Sequence, residues 1–298
     1  MRQFDFLGKT KYFLPVSLVL LLISAIVLIP GVRGLRMGID FTGGMEFTVL
    51  FSESVDTADV RSALGNIYVG EVDLAKSVIQ DAEGNKKIIT MQLDDSNTAD
   101  EIVTMLLRDF PVQEAGISRR LIGQQVSREL AEKGWQAVLL ALVAILVYIS
   151  WRFRLRYAIG AVAAILHDVV IALGLFAIFQ VEVNLATIAA FLTIVGYSLN
   201  DTIVIYDRIR ENLKLERRKT VFEVINHSVN QSLSRTLNTS ITTFIPVIIL
   251  FLFGGAVLRG FSLALLIGVI VGTYSSMYIA NPILYAWTMK AGGAKTAK

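Results

Sequence analysis

Residues 185–206 read LATIAAFLTIVGYSLNDTIVIY. A run of roughly 20 mostly apolar residues is enough to cross the hydrocarbon core of a bilayer as an α-helix. This run has that length, and Asp201 is its single charged residue. Five other stretches read the same way: Phe13–Ile29, Trp135–Trp151, Tyr157–Phe179, Leu237–Val257 and Phe261–Trp287. Backbone polar groups cannot be left unpaired in lipid, so all six are expected to be helices. Trp135–Trp151 is short and is expected to continue from the helical run Gln124–Lys133 before it.

Composition agrees with a membrane protein. The chain has 298 residues, of which 54% are hydrophobic and 18% charged, and its mean hydropathy is +0.60. Soluble domains carry about a quarter of their residues as charges. The absence of cysteine removes disulfides, thiolate metal sites and cysteine nucleophiles. His167 and His227 are the only imidazoles, too few for a histidine-based zinc site. No metal and no cofactor are expected, and enzyme signatures are missing as well. Gly196-Tyr197-Ser198 is not a Gly-x-Ser-x-Gly elbow, no phosphate loop occurs, and Tyr206-Asp207 lacks the second element of an intramembrane aspartyl protease.

Lys and Arg near the span ends set the orientation. They gather at the N-terminus (Arg2, Lys9, Lys11), after span two (Arg152, Arg154, Arg156), between spans four and five (Arg208, Arg210, Lys214, Arg217, Arg218, Lys219, Arg235) and in the tail (Lys290, Lys295, Lys298). Six spans put all four segments on one side, so both termini are expected in the cytoplasm and residues 38–134 outside. The first stretch follows Arg2, Lys9 and Lys11 but lacks a small-x-small cleavage site after Pro30, which favours an uncleaved anchor. The outer segment holds 9 basic and 17 acidic residues, a net of −8; the remainder holds 19 and 8, a net of +11. The pI near 9 therefore reflects cytoplasmic flanks beside anionic lipid, and a nucleic-acid partner is not expected.

Within the outer segment, Met45–Glu53 reads as a strand and Thr57–Ile67 as a helix capped by Asp56. Val72–Gln80 and Lys86–Leu93 read as strands around the turn-rich Asp81–Asn85. A second helix, capped by Asn97 or Thr98, ends near Phe110-Pro111, and Val112–Ile117 is a last strand. The order βαββαβ predicts a ferredoxin-like α+β domain between spans one and two. The expected organisation is a cytoplasmic N-terminus with span one (1–37), a periplasmic domain (38–134), spans two to six (135–289) as an all-α six-helix membrane bundle, and a cytoplasmic tail (290–298).

Charged groups inside spans are costly, about 3 kcal/mol each on insertion scales, and they concentrate at functional positions. Thr193, Gly196, Tyr197, Asn200 and Asp201 share one helix face, and Arg235, Asn238, Thr239 and Thr242 share another. Asp201 and Arg235 are expected to meet or nearly meet between these stripes. A carboxylate in a low-dielectric bundle is driven toward protonation, while a nearby guanidinium favours ionisation. The pair can therefore be a proton relay; a static ion pair, or a solvated Asp201, are the other readings. His167 and Asp168 lie mid-span, where they either extend such a relay or hydrogen-bond to a neighbouring helix. Glu182 reads as a solvated turn residue, and Arg259 as an interface anchor in an outer link Leu258–Gly260. Gly268, Gly272, Ser276 and Ala280 form a small-residue stripe suited to close helix packing.

These residues resemble a known family. Gly38-Ile39-Asp40-Phe41-Thr42-Gly43-Gly44 matches the signature of SecF proteins, subunits of the bacterial SecD–SecF protein-export complex in the RND superfamily. Leu166–Val169, Gly196–Val204 with Tyr206–Asn212, Arg235–Ser240, Phe253–Gly255, Gly260–Ser262 and Gly272–Ser276 match in order, across nearly the whole chain. The resemblance implies a non-enzymatic inner-membrane subunit that pairs with SecD beside the SecYEG translocon and uses the proton motive force to promote preprotein export and release. It also implies that Asp201 and Arg235 belong to a proton pathway, with Asn200, Asn238, Thr239, Asp168 and His167 beside them and protons as the coupling ion. Gly38, Asp40, Phe41, Gly43 and Gly44 would form a bent connector, with Asp40 stabilising its turn. A proton-driven RND exporter of small molecules or lipids is the alternative, although this chain has one small outer domain where such exporters have two large ones.

Overall fold

The computed structural model describes residues 4–65, 68–69, 72–74, 77–81, 84–91 and 96–290. Two compact units emerge, Met37–Ala137 forming one and the chain before and after it the other. Six helical segments among the described residues are long and apolar enough to cross a membrane.

The helices are α1 (Phe6–Leu28), α2 (Ile39–Thr42), α3 (Thr57–Gly65), α4 (Ser96–Asp109), α5 (Gln124–Arg152), α6 (Leu155–Phe179), α7 (Leu185–Leu215), α8 (Val221–Phe253), α9 (Gly255–Tyr278) and α10 (Ala280–Lys290). The longer strands are β2 (Gly44–Phe51), β5 (Val78–Asp81), β6 (Lys86–Met91) and β7 (Val112–Ile122). Four more have two residues each: β1 (Arg36–Met37), β3 (Tyr68–Val69), β4 (Val72–Asp73) and β8 (Glu182–Val183).

In the smaller unit the sheet order is β5-β6-β2-β7, with every neighbouring pair antiparallel. Met45, Phe47 and Val49 alternate inward along β2 and pack with Ile89 and Met91 of β6 against Val60 and Leu64 of α3 and Ile102 and Leu106 of α4. This alternation is what a sheet covered on one face requires. Asp56 caps α3 as expected, accepting from the Ala58 N–H at 2.9 Å; the expected end at Ile67 lies outside the described residues. The expected strand Val72–Gln80 is divided: β4 takes its start and β5 begins at Val78, with residues 75–76 between them not described. The last strand runs five residues past the expected Ile117, because Ser118–Ile122 pair with Gly44–Thr48 of β2.

The Lys87 side chain is buried, yet its ammonium donates to Asp81 and, at 2.9 Å, to the Thr57 hydroxyl. Lys87 in turn holds the Asp81 carboxyl below the usual carboxylate range.

In the membrane unit α6, α7 and α9 are the buried helices. The small-residue stripe works within the chain: a Cβ on Gly268 would collide with the Ile194 side chain of α7, and one on Gly272 would come to 3.0 Å from Ser198. Close approach of this kind replaces the hydrophobic driving force that lipid cannot supply. Gly160 of α6 likewise leaves room for Tyr206, whose hydroxyl donates to the Ala280 carbonyl at 2.9 Å. The expected sixth span is broken at Ile279, three residues before Pro282. Proline has no N–H to continue the helical ladder.

Two boundaries differ from expectation. Helix α8 begins at Val221 behind a Thr220–Glu223 capping box, well before the expected span start at Leu237, so Arg235 lies inside it. A hydropathy reading misses the polar first turns. The turn after α8 falls at Gly254 and Gly255, not at Leu258–Gly260, and Arg259 lies inside α9 with its guanidinium 5.6 Å from the Phe251 ring centroid. Gly255 has φ +73°, a conformation that glycine adopts without steric cost.

Two outcomes are expected. Gly268→Leu should cost about 1–3 kcal/mol through overpacking against Ile194, read as a lower midpoint in thermal unfolding of the detergent-solubilised protein. Asp81→Asn should destabilise at neutral pH. Because Lys87 holds the folded carboxyl below the usual carboxylate range, that difference should persist at neutral pH, shrink as pH falls through the acid range, and vanish once the folded carboxyl is protonated; a pH series of unfolding midpoints measures it.

Candidate functional site: a polar core in the membrane bundle

Asp168 is the best-satisfied charge in the bundle. It is 1% exposed, on α6. Its Oδ2 accepts from Ser198 Oγ of α7 at 2.5 Å and from Ser275 Oγ of α9 at 2.7 Å, while Oδ1 lies 2.9 Å from His167 Nδ1. One carboxylate thus ties three helices together. Hydrogen bonds to an ionised acceptor are roughly twice as strong as neutral ones, and more so away from water. The His167 ring stacks on Tyr274 with centroids 6.0 Å apart, and the Tyr274 hydroxyl donates to the Phe13 carbonyl of α1 and meets Ser17 at 2.7 Å. His167 Nε2 is buried with no hydrogen-bond partner.

Asp201 contrasts with Asp168. It is 2% exposed, but among the described residues its one hydrogen bond is the long 3.4 Å contact from Thr239 Oγ1 of α8, and its Oδ2 is buried without a partner. The Thr239 hydroxyl has closer acceptors, Thr236 O at 2.9 Å and Arg235 O at 3.1 Å, and only one proton to donate. Tyr197 Oη, Thr202 Oγ1 and Thr236 Oγ1 are further buried polar atoms without partners on the same two helices.

Asp201 and Arg235, expected to meet or nearly meet, lie near each other without touching. Among the described residues no ion pair joins them, and Arg235 is exposed on α8 although within electrostatic range of the carboxylate. Asn200 and Asn238 are exposed, as are Thr193 and Thr242. The two polar stripes therefore join through Thr239 and otherwise open to the outside of the bundle. Glu182 is not solvated as expected: it pairs with Arg36 at 3.5 Å, both side chains under one-fifth exposed.

The Gly38–Gly44 stretch is bent, as its glycines suggest. Ile39–Thr42 make the single turn α2, followed by Gly43 at φ +70° and Gly44 at φ +118°. A Cβ on Gly43 would press on Ser127 Oγ at 3.2 Å and on the Ile122 carbonyl at 3.4 Å. Phe41 is half-buried, and Gly38 and Asp40 are buried. Arg120 pairs with both Asp40, at 3.5 Å, and Glu46, at 3.6 Å.

Sequence reading missed Ser198, Ser275, Tyr274 and Ser17 as members of the polar core. Ser198 stands one turn before Asp201, which is the one signal that could have found it.

The chain matches the family described as protein export membrane protein SecD/SecF, C-terminal, over residues 102–290, and the SecD/SecF GG motif over residues 29–55. It is 40% identical to the protein translocase subunit SecF of Petrotoga mobilis, over 95% of this chain and 96% of that one. It is 45% identical to that of Magnetococcus marinus, over 95% and 91%. The crystal structure of SecDF from Thermus thermophilus, a translocon-associated membrane protein, superposes with a TM-score of 0.86 at 35% identity. That match takes in 97% of this chain but only 39% of the SecDF chain, so this chain spans about two-fifths of that longer protein. The chain belongs to the SecD/SecF family of protein export membrane proteins.

Proposed function

We propose that the chain is a SecF-type accessory subunit of the Sec translocase, a multi-pass inner-membrane protein that works with SecD. It draws on the proton motive force to promote preprotein export and release on the periplasmic side of SecYEG. No bond chemistry is assigned to it, and protons are the coupling ion. The distribution of Lys and Arg supports cytoplasmic termini and a periplasmic domain with ferredoxin-like strand order at residues 38–134.

The single observation carrying the mechanism is the difference between the two intramembrane aspartates. Asp168 has every acceptor engaged, whereas Asp201 has an oxygen without a partner. A proton arriving at Asp201 fills an empty acceptor, turns a charge into a neutral donor and alters the pull of Arg235 on α7. One charge moved through 100 mV supplies about 2.3 kcal/mol, enough to bias a two-state bundle. Thr239, Asn200 and Asn238 line the approach. The His167–Asp168 pair forms its inner branch, linked to Asp201 through Ser198 one turn away on α7. Arg235, Asn238, Thr242, Asn200 and Thr193 are exposed at membrane depth, where lipid offers no hydrogen bonds. A polar face of this kind calls for a second polypeptide against it, and SecD is the proposed occupant.

Asp201→Asn should assemble with SecD normally and lose the gradient-dependent part of export in inverted vesicles. Undiminished gradient-driven export would overturn the relay. Arg235→Lys keeps the charge but not the planar fork, and is expected to retain part of the activity that Arg235→Leu loses. Asp168→Ala strands three hydrogen-bonding side chains and should cost about 1–3 kcal/mol in stability, seen as faster proteolysis of the membrane-inserted protein.

A further inference from the structure

The two edges of the sheet in the smaller unit are unequal. Edge strand β5 has four residues, and its end is tied by the Asp81–Lys87 pair. Edge strand β7 has eleven residues. Its register against β2 is regular from Ile117 to Ile122 and is interrupted before that, where Val49 and Phe51 face Ile117 and Val112. Six regular residues give an edge about 20 Å long.

Natural edges are blunted by short strands, prolines or charges that reach across the open side. Within β7 there is no proline after Val112, and its two charges at the regular end are committed elsewhere. Arg119 reaches Asp100 of α4 at 2.5 Å. Arg120 reaches Glu46 and Asp40. Arg119 faces Phe47 across the ladder and Arg120 faces Glu46, so the two lie on opposite faces of the sheet, each held by carboxylates of its own domain. Leu121 stays 48% exposed beside them, an apolar ledge at the rim.

We propose that the β7 edge over Ile117–Ile122 takes an extended segment of the exported chain by strand addition, main chain to main chain. Such pairing draws affinity from backbone hydrogen bonds and leaves selectivity to shallow side-chain contacts. It therefore suits a client that varies in sequence. Permanent interfaces are more apolar than this rim, where Ser118, Arg119 and Arg120 are all exposed. The mixed surface favours a transient occupant over a fixed strand from a partner subunit. The proposal rests on the export reading above.

The chain contains no cysteine, so an introduced thiol is the only one it carries. Ser118→Cys, in the full chain assembled with SecD and SecYEG, would be oxidised against a preprotein stalled in transit that carries single cysteines at successive positions. Disulfides should form from Ser118→Cys to several unrelated preprotein positions, and not from Glu101→Cys on α4. Adding Leu121→Lys, which guards the rim with a charge, should remove the crosslinked band while the sheet stays folded by circular dichroism. Crosslinking of Ser118→Cys to SecD, or to no protein while export remains gradient-dependent, would overturn strand addition and leave the export reading intact. Export indifferent to deletion of this chain would overturn both.

Discussion

A carboxylate buried in a bilayer must be answered by donors from the protein, and the membrane bundle is arranged around that requirement at Asp168. Ser198, Ser275 and His167 meet it at 2.5–2.9 Å from three helices. Lipid tails give helices no hydrophobic reason to associate, so polar ties and close backbone approach supply specificity. Gly272 on α9 lets Ser198 approach within the distance that the Asp168 bond needs. The glycine stripe and the carboxylate therefore act together, one permitting the proximity that the other exploits. The ring of His167 then passes the same organisation to α1 through Tyr274 and its bond to the Phe13 carbonyl.

With one aspartate saturated, the other is left free to change. Asp201 sits one turn from Ser198, yet it has only a long, contested hydrogen bond. The neighbouring Tyr197, Thr202 and Thr236 add polar atoms without partners. Buried polar groups are normally satisfied, so a group of exceptions on two adjacent helices sets this part of the bundle apart and is what the proposed relay draws on. The contrast is one of geometry: Asp168 has both oxygens engaged, and Asp201 has one oxygen without a partner among the described residues.

Much of this was legible in the sequence. The spans announce themselves because apolar runs with one or two charges have no other stable use. The alternation Met45-Phe47-Val49 and the Asp56 cap similarly declare a strand and a helix start. Helical spacing was enough to put Asp201 and Thr239 on facing stripes. It could not find the partners of Asp168, which lie 30 and 107 residues away in the chain, because periodicity is local and hydroxyls in apolar runs look like filler. It could not decide whether Asp201 and Arg235 touch or only nearly meet, since a shared face fixes direction but not reach. The turn at Gly254-Gly255 was misplaced because hydropathy continues past it; backbone angle, not polarity, ends that helix.

Helix α7 has a mechanical consequence. It runs 31 residues without a proline or a break, about 46 Å as a straight rod. It is fastened at three depths: by Ser198 to Asp168, by Tyr206 to the Ala280 carbonyl, and by Asn212 to Ser228. A rod fastened in this way cannot turn alone: any shift begun beside Asp201 is shared with α6 through Ser198, with α10 through Tyr206 and with α8 through Asn212, so α7 couples its neighbours rather than moving past them.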